Sequence, residues 1–124
     1  MTAVPVVRIR YALVAALQED IDDQSALALA DRLATEVTTH GARLVLLDVS
    51  AAQFVDSFIS RVISDIAKVC RLLGAQVTVV GIRPAVAITL VELGLTLQGV
   101  ATALTIDDAM RALEEGGGGD GWRS

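Results

Sequence analysis

Two apolar patterns alternate along the chain. Short runs dense in Val, Leu and Ile have the length of strands. Longer stretches between them repeat their apolar residues every three or four positions, as helices do. "VPVVRIR" and "YALVAAL" are the first two runs. The gap between them, near Arg10 and Tyr11, is too short for a crossover, so they predict an antiparallel hairpin. "QEDIDD" breaks the pattern. Ala26, Leu29, Leu33 and Val37 then fall at helical spacing and predict a helix from about Asp23 to Thr39, capped by Asp22 and stopped by a left-handed Gly41.

"RLVLLDVS" is a continuous apolar run, which predicts a central strand covered on both faces. Phe58, Val62, Ile66, Val69 and Leu73 then repeat at helical spacing, with Arg61, Asp65, Lys68 and Arg71 mostly off that stripe. They predict an amphipathic helix that begins at Asp56 or Ser57 and ends at Gly74. "QVTVVGI" is the next strand. Pro84 and Gly94 frame a short helix, "PAVAITLVEL". "VATAL" is a weaker strand. "TIDDAMRALEEG" is a last helix, with Thr105 and Asp108 at capping-box spacing. The order ββαβαβαβα predicts an α/β fold: a mostly parallel sheet with an antiparallel edge and right-handed crossovers. One domain is expected over residues 1–115, followed by a flexible glycine-rich tail over 116–124.

Composition sharpens this picture. Of 124 residues, 53% are hydrophobic but only 3% aromatic, so the core is built from aliphatic side chains. The mean hydropathy of +0.58 is high for so small a domain, which predicts an aliphatic surface left over for self-association. The net charge is −5, with no Lys/Arg cluster. That argues against nucleic acid and against a polybasic membrane anchor. The longest uncharged run, Leu93 to Ile106, is too short and too polar for a membrane span, and "MTAVPVVRIR" lacks the pattern of a signal peptide. The single cysteine, Cys70, excludes an internal disulfide. A cytoplasmic setting is expected.

Catalytic chemistry is scarce. His40, the only histidine, falls in the last turn of the first helix, where a cation suits the helix dipole. Cys70 reads as a small buried hydrophobe. One His and one Cys make a poor metal site, and no GxGxxG or P-loop follows any strand. Asp48, at the end of a strand, invites comparison with phosphoacceptor receiver domains. The acidic pair and the late lysine of those domains are missing, so Asp48 is expected to satisfy loop amides instead. No enzyme activity and no cofactor are expected.

"FVDSFIS" is the one stretch whose chemistry stands out. Asp56 and Ser57 sit between Phe54, Val55 and Phe58. Asp before Ser is ordinary helix-start chemistry. The same loop, at the carboxyl end of a central parallel strand, is also where open α/β sheets present their sites. A helix N-terminus accommodates an added phosphate. Phe54, Val55, Asp56, Phe58 and Arg61 are therefore candidate partner-contact residues around a phosphorylatable Ser57. Thr89, in "PAVAITLVEL", is a secondary phosphosite or contact candidate, although a Thr inside a helix often bonds back to a carbonyl one turn earlier.

"LVLLDVSAAQFVDSFIS", "LLGAQVTVVGIRPAVAITLVELG" and "TALTIDDAMRAL" together resemble a STAS domain, the fold of the anti-anti-sigma factors. The likeness covers roughly Val4 to Leu113 and is greatest to the RsbS type, the single-domain scaffold of the stressosome. It implies phosphorylation of Ser57 by an RsbT-like serine/threonine kinase, which the unmodified protein holds in an assembly with RsbR-type STAS paralogues. It further implies an RsbX-like phosphatase that resets the serine, and a sigma-factor or related stress cascade as the output. The first strand begins within the first few residues, so the N-terminal sensor of the RsbR type is not expected. A stand-alone anti-anti-sigma factor of the SpoIIAA type shares the fold and the serine and remains the alternative, as does a nucleotide-binding or enzymatic use of the fold.

Overall fold

The computed structural model describes residues 4–18, 21–52, 55–94, 97 and 99–116. The elements follow the expected order: β1 (Val6–Ile9), β2 (Ala12–Ala16), α1 (Asp23–His40), β3 (Leu44–Asp48), α2 (Ser57–Leu72), β4 (Gln76–Val80), α3 (Pro84–Glu92), β5 (Ala101–Ala103) and α4 (Ile106–Gly116). The five strands form one sheet in sequence order, β1-β2-β3-β4-β5. β1 pairs antiparallel with β2, with Val7 opposite Val14. β2 to β5 are parallel, with Leu46 of β3 opposite Val14 of β2 and Thr78 of β4. The hairpin turns through Arg10, whose φ of 55° is left-handed and rare for a side chain with a Cβ.

The helices begin and end where local chemistry dictates. Asp22 accepts from the Ser25 amide at 2.8 Å and caps α1, and Gly41, at φ 64°, closes it through a bond to the Val37 carbonyl. Pro84 occupies the first turn of α3. Thr105 Oγ1 accepts from the Asp108 amide at 3.0 Å and caps α4.

The central strand β3 divides the core by its two-residue period. Val45 and Leu47 face a large aliphatic cluster built with Leu29 and Leu33 of α1, Ile63 and Ile66 of α2, and Val86 and Leu90 of α3. Leu44 and Leu46 face the opposite way, into a small cluster with Ala12, Val80 and the α4 residues Ala109 and Met110. Three helices thus cover one face of the sheet and α4 covers the other.

One expectation shifts in detail. The stripe Phe58, Val62, Ile66, Val69 and Leu73 is one flank of the buried arc of α2 rather than its centre. The buried residues of that helix are Ile59, Ser60, Val62, Ile63, Ile66, Ala67 and Cys70. Val69 and Leu73 are 38% and 41% exposed. A helix packed on both a sheet and a neighbouring helix buries a wide arc, and a single-file reading of its apolar positions picks out only one edge. The expected tail lies largely outside the described residues, since α4 runs to Gly116.

Candidate functional site: the carboxyl edge of the sheet

Because β2 to β5 are parallel, their carboxyl ends form one edge, and α2 and α3 both begin there. Ser57 is the first residue of α2 and is exposed, as is Asp56 before it. The capping role belongs to Asp56, whose Oδ1 accepts from the Ile59 amide at 3.0 Å while its carbonyl accepts from Ser60 N at 2.9 Å. The helix therefore does not require the Ser57 hydroxyl as its cap. Its first-turn amides and dipole favour negative charge beside it.

The surrounding residues divide. Arg61, one turn on, is exposed. Phe58 is half-buried and packs against the larger core cluster. Val55 departs from expectation. It is only 3% exposed and belongs to the core, so its side chain is not a surface for partner contact. The reason is geometric: the backbone enters α2 at Asp56, and the residue before the cap tucks its side chain under the helix. Phe54 lies outside the described residues. Thr89 sits exposed on α3, and its Oγ1 donates to the Ala85 carbonyl at 3.0 Å, the back-bond expected of a helical threonine.

Two further residues shape this edge. Gly81, at φ 81°, follows β4 where a Cβ would lie 2.9 Å from the Ser50 Cβ and 3.1 Å from Asp48 Oδ1. Only glycine allows the β4–α3 loop to approach the β3–α2 loop so closely. Arg83 then donates from Nε to the Ser50 carbonyl at 3.1 Å, tying the two loops together. The sequence shows "GIRP" but not what it touches, since both contacts cross between strands. Asp48 satisfies a loop amide as expected, accepting from Ser50 N at 2.9 Å.

Other chemistry does not gather here. Cys70 is buried within α2, and burial pushes its thiol up to about 11, which leaves it unreactive. His40 lies in the last turn of α1, 3.2 Å from Glu36 Oε1 and 3.3 Å from an Arg8 nitrogen. Among the described residues no three His, Cys, Asp or Glu side chains form a metal-binding group. A cleft of about 620 Å³ lies at the opposite edge of the sheet, around Arg71 and Gly99. A smaller one of about 450 Å³ lies between Asp48, Ser50 and the start of α4. No described helix is long and apolar enough to cross a membrane.

The family model of the STAS domain matches residues 3–109. The chain belongs to the STAS family. It is 32% identical over 95 residues to the RsbT co-antagonist protein RsbRA of Bacillus subtilis, a match that covers 77% of this chain and 35% of that protein. The chain therefore spans about a third of the length of that relative. Among solved structures, a serine-to-glutamate variant of Moorella thermoacetica RsbS superposes with a TM-score of 0.76 at 36% identity, covering 92% of this chain and 97% of the other. A chain from a structure described as the molecular architecture of the stressosome, a signal integration and transduction hub, gives 0.75 at 37% identity, over 90% and 96%. The unphosphorylated anti-sigma factor antagonist SpoIIAA shares the fold at 13% identity. This STAS domain is thus close to RsbS and related to RsbR-type proteins, which are RsbT co-antagonists by name.

Proposed function

We propose that this STAS domain is a non-enzymatic scaffold of the RsbS type whose switch is Ser57. While Ser57 is unmodified, the protein holds an RsbT-like serine/threonine kinase in a cytoplasmic assembly with RsbR-type paralogues and further copies of itself. Phosphorylation of Ser57 releases the kinase into a sigma-factor or related stress cascade, and an RsbX-like phosphatase resets the serine.

One observation carries this reading: Ser57 is exposed at the start of a helix at the carboxyl edge of the central strand, with Asp56 already serving as the cap. The likeness over 97% of an RsbS chain supports the scaffold reading over the SpoIIAA type, where identity falls to 13%.

The physics of the switch follows from its place. A phosphoryl group adds about −1.5 to −2 charges at neutral pH. Within this protein the first-turn amides of α2 and the exposed Arg61 favour that charge, so the fold tolerates it. A partner packed over the same spot has to strip the phosphate of water, at a cost of several kcal/mol unless it brings a cation. Each ~1.4 kcal/mol is a tenfold change in affinity, so about 3 kcal/mol releases a partner held at sub-micromolar strength.

Incubation of the wild type and Ser57→Ala with the cognate kinase and ATP, followed by mass-spectrometric mapping, tests the assignment. Phosphate is expected on Ser57 of the wild type and absent from Ser57→Ala. Phosphate on Thr89 or elsewhere, with Ser57 unmodified, contradicts it.

A further inference from the structure

The face of the sheet opposite α1–α3 has one described helix on it, α4, which is held by a short apolar face of its own. Among the described side chains of α4, Ala109 and Met110 are buried, and Ile106 and Leu113 are half-buried against the same cluster. An isolated helix of 11 residues is marginal in water, so its place depends on what fastens it. Its cap, Thr105 to Asp108, and its ion pair, Arg111 to Asp108, are both local to the helix and its start. The polar contacts that reach from α4 to another element converge on one point. Glu114, in its last turn, accepts from the Tyr11 hydroxyl at 2.6 Å and pairs with Arg10.

Arg10 and Tyr11 form the β1–β2 turn, and the turn is shaped for this contact. Arg10 adopts the left-handed φ of 55°, the single positive φ outside glycine among the described residues. A non-glycine residue held in that region is strained, and such strain persists where surrounding contacts over-determine it. The Tyr11 ring lies near two guanidinium groups, Arg10 at 5.2 Å and Arg43 at 5.3 Å from its centroid. The hydroxyl is thereby aimed at the carboxylate.

We propose that the contact of Tyr11 and Arg10 with Glu114 is a latch that sets how often α4 lifts from the sheet, and that its release uncovers the aliphatic strip of Leu44, Leu46 and Val80. Elements with few buried apolar contacts open locally before the molecule unfolds. Here α4 is such an element, and among the described residues the latch is its polar tie to another element. The core of α1–α3 on the other face stays intact when α4 lifts, because the two clusters share no residue.

Native-state hydrogen exchange on the full chain tests this, with Glu114→Gln and Tyr11→Phe against an Arg111→Gln control that leaves the latch intact. The latch predicts that α4 amides lose protection several-fold in both latch variants, while the amides of β3 and α2 and those of the control stay at wild-type values. Glu114 is on the surface, so Glu114→Gln folds even if Tyr11→Phe does not. Two results would overturn the proposal: unchanged α4 protection in Glu114→Gln, or wild-type α4 amides that exchange only together with those of β3.

Discussion

The two faces of the sheet are built on different scales. On one, α1, α2 and α3 enclose a continuous aliphatic cluster that includes Leu33, Val45, Leu47, Ile63 and Ile66. On the other, α4 covers Leu44, Leu46 and Val80 with Ala109 and Met110 buried and Ile106 and Leu113 half-buried beside them. The difference separates two tasks. The thick face fixes α2, and with it the position of Ser57, through packing that leaves little freedom. The thin face holds its helix with far fewer buried side chains.

Cavities on the two faces are expected to have the largest and most unequal effects. Ile63→Ala removes a fully buried side chain from the thick face, and such losses cost about 2–5 kcal/mol. The whole protein is expected to melt earlier, as one transition, in thermal or urea unfolding. Met110→Ala is expected to act on α4 alone, raising its hydrogen exchange with a smaller change in global stability. Equal global losses from both substitutions would show that the two faces are one cooperative unit.

A smaller effect is expected at the carboxyl edge. Gly81→Ala places a Cβ against Ser50 at a left-handed φ, which costs roughly 1–3 kcal/mol. Urea unfolding should show that loss, and kinase binding should weaken with it, because the β3–α2 loop has to shift. Smaller again, Asp56→Ala removes the cap of α2 for about 1 kcal/mol. Ser57→Ala should leave the urea midpoint almost unchanged. A Ser57→Ala loss as large as that of Asp56→Ala would make the serine a structural residue.

The smallest effect is one of pH. Asp22 is held below the usual carboxylate range by the Ser25 amide, and Glu114 by the Tyr11 hydroxyl first and the nearby Arg10 charge second. Arg10 and Tyr11 face that carboxylate from the hairpin, Arg43 just before β3 lies by the Tyr11 ring, and Arg111 lies one turn back on its own helix. A carboxylate whose folded pKa is depressed contributes stability at neutral pH, and that stability is lost as pH falls through its folded value. Thermal scans from pH 7 toward acid should therefore show falling stability with a smaller slope in Glu114→Gln. An identical slope would remove Glu114 from the account.

Much of this was legible in the sequence, for physical reasons. Element order, the antiparallel hairpin, the Asp22 and Thr105 caps and the Gly41 stop all follow from local chemistry, which neighbours in the chain determine. Asp56 as the cap of α2 was equally local. What escaped depended on contacts between elements. Val55 reads as an apolar residue beside an exposed serine, but it is buried because the chain enters α2 through it. The centre of the α2 buried arc depended on which neighbours the helix touches. Gly81, Arg83 and the Tyr11–Glu114 pair act across gaps in sequence that no periodicity encodes.

Charge on Ser57 is proposed to break a partner contact without breaking the fold. The direct measurement is kinase retention on the immobilised wild type before and after phosphorylation, with Ser57→Ala treated identically and unfolding midpoints taken on the same samples. The phosphorylated wild type is expected to lose the kinase by at least about tenfold in affinity, or ~1.4 kcal/mol, while Ser57→Ala keeps it and all midpoints agree closely. Equal release from wild type and Ser57→Ala, or release matched by a fall in the midpoint, would contradict it.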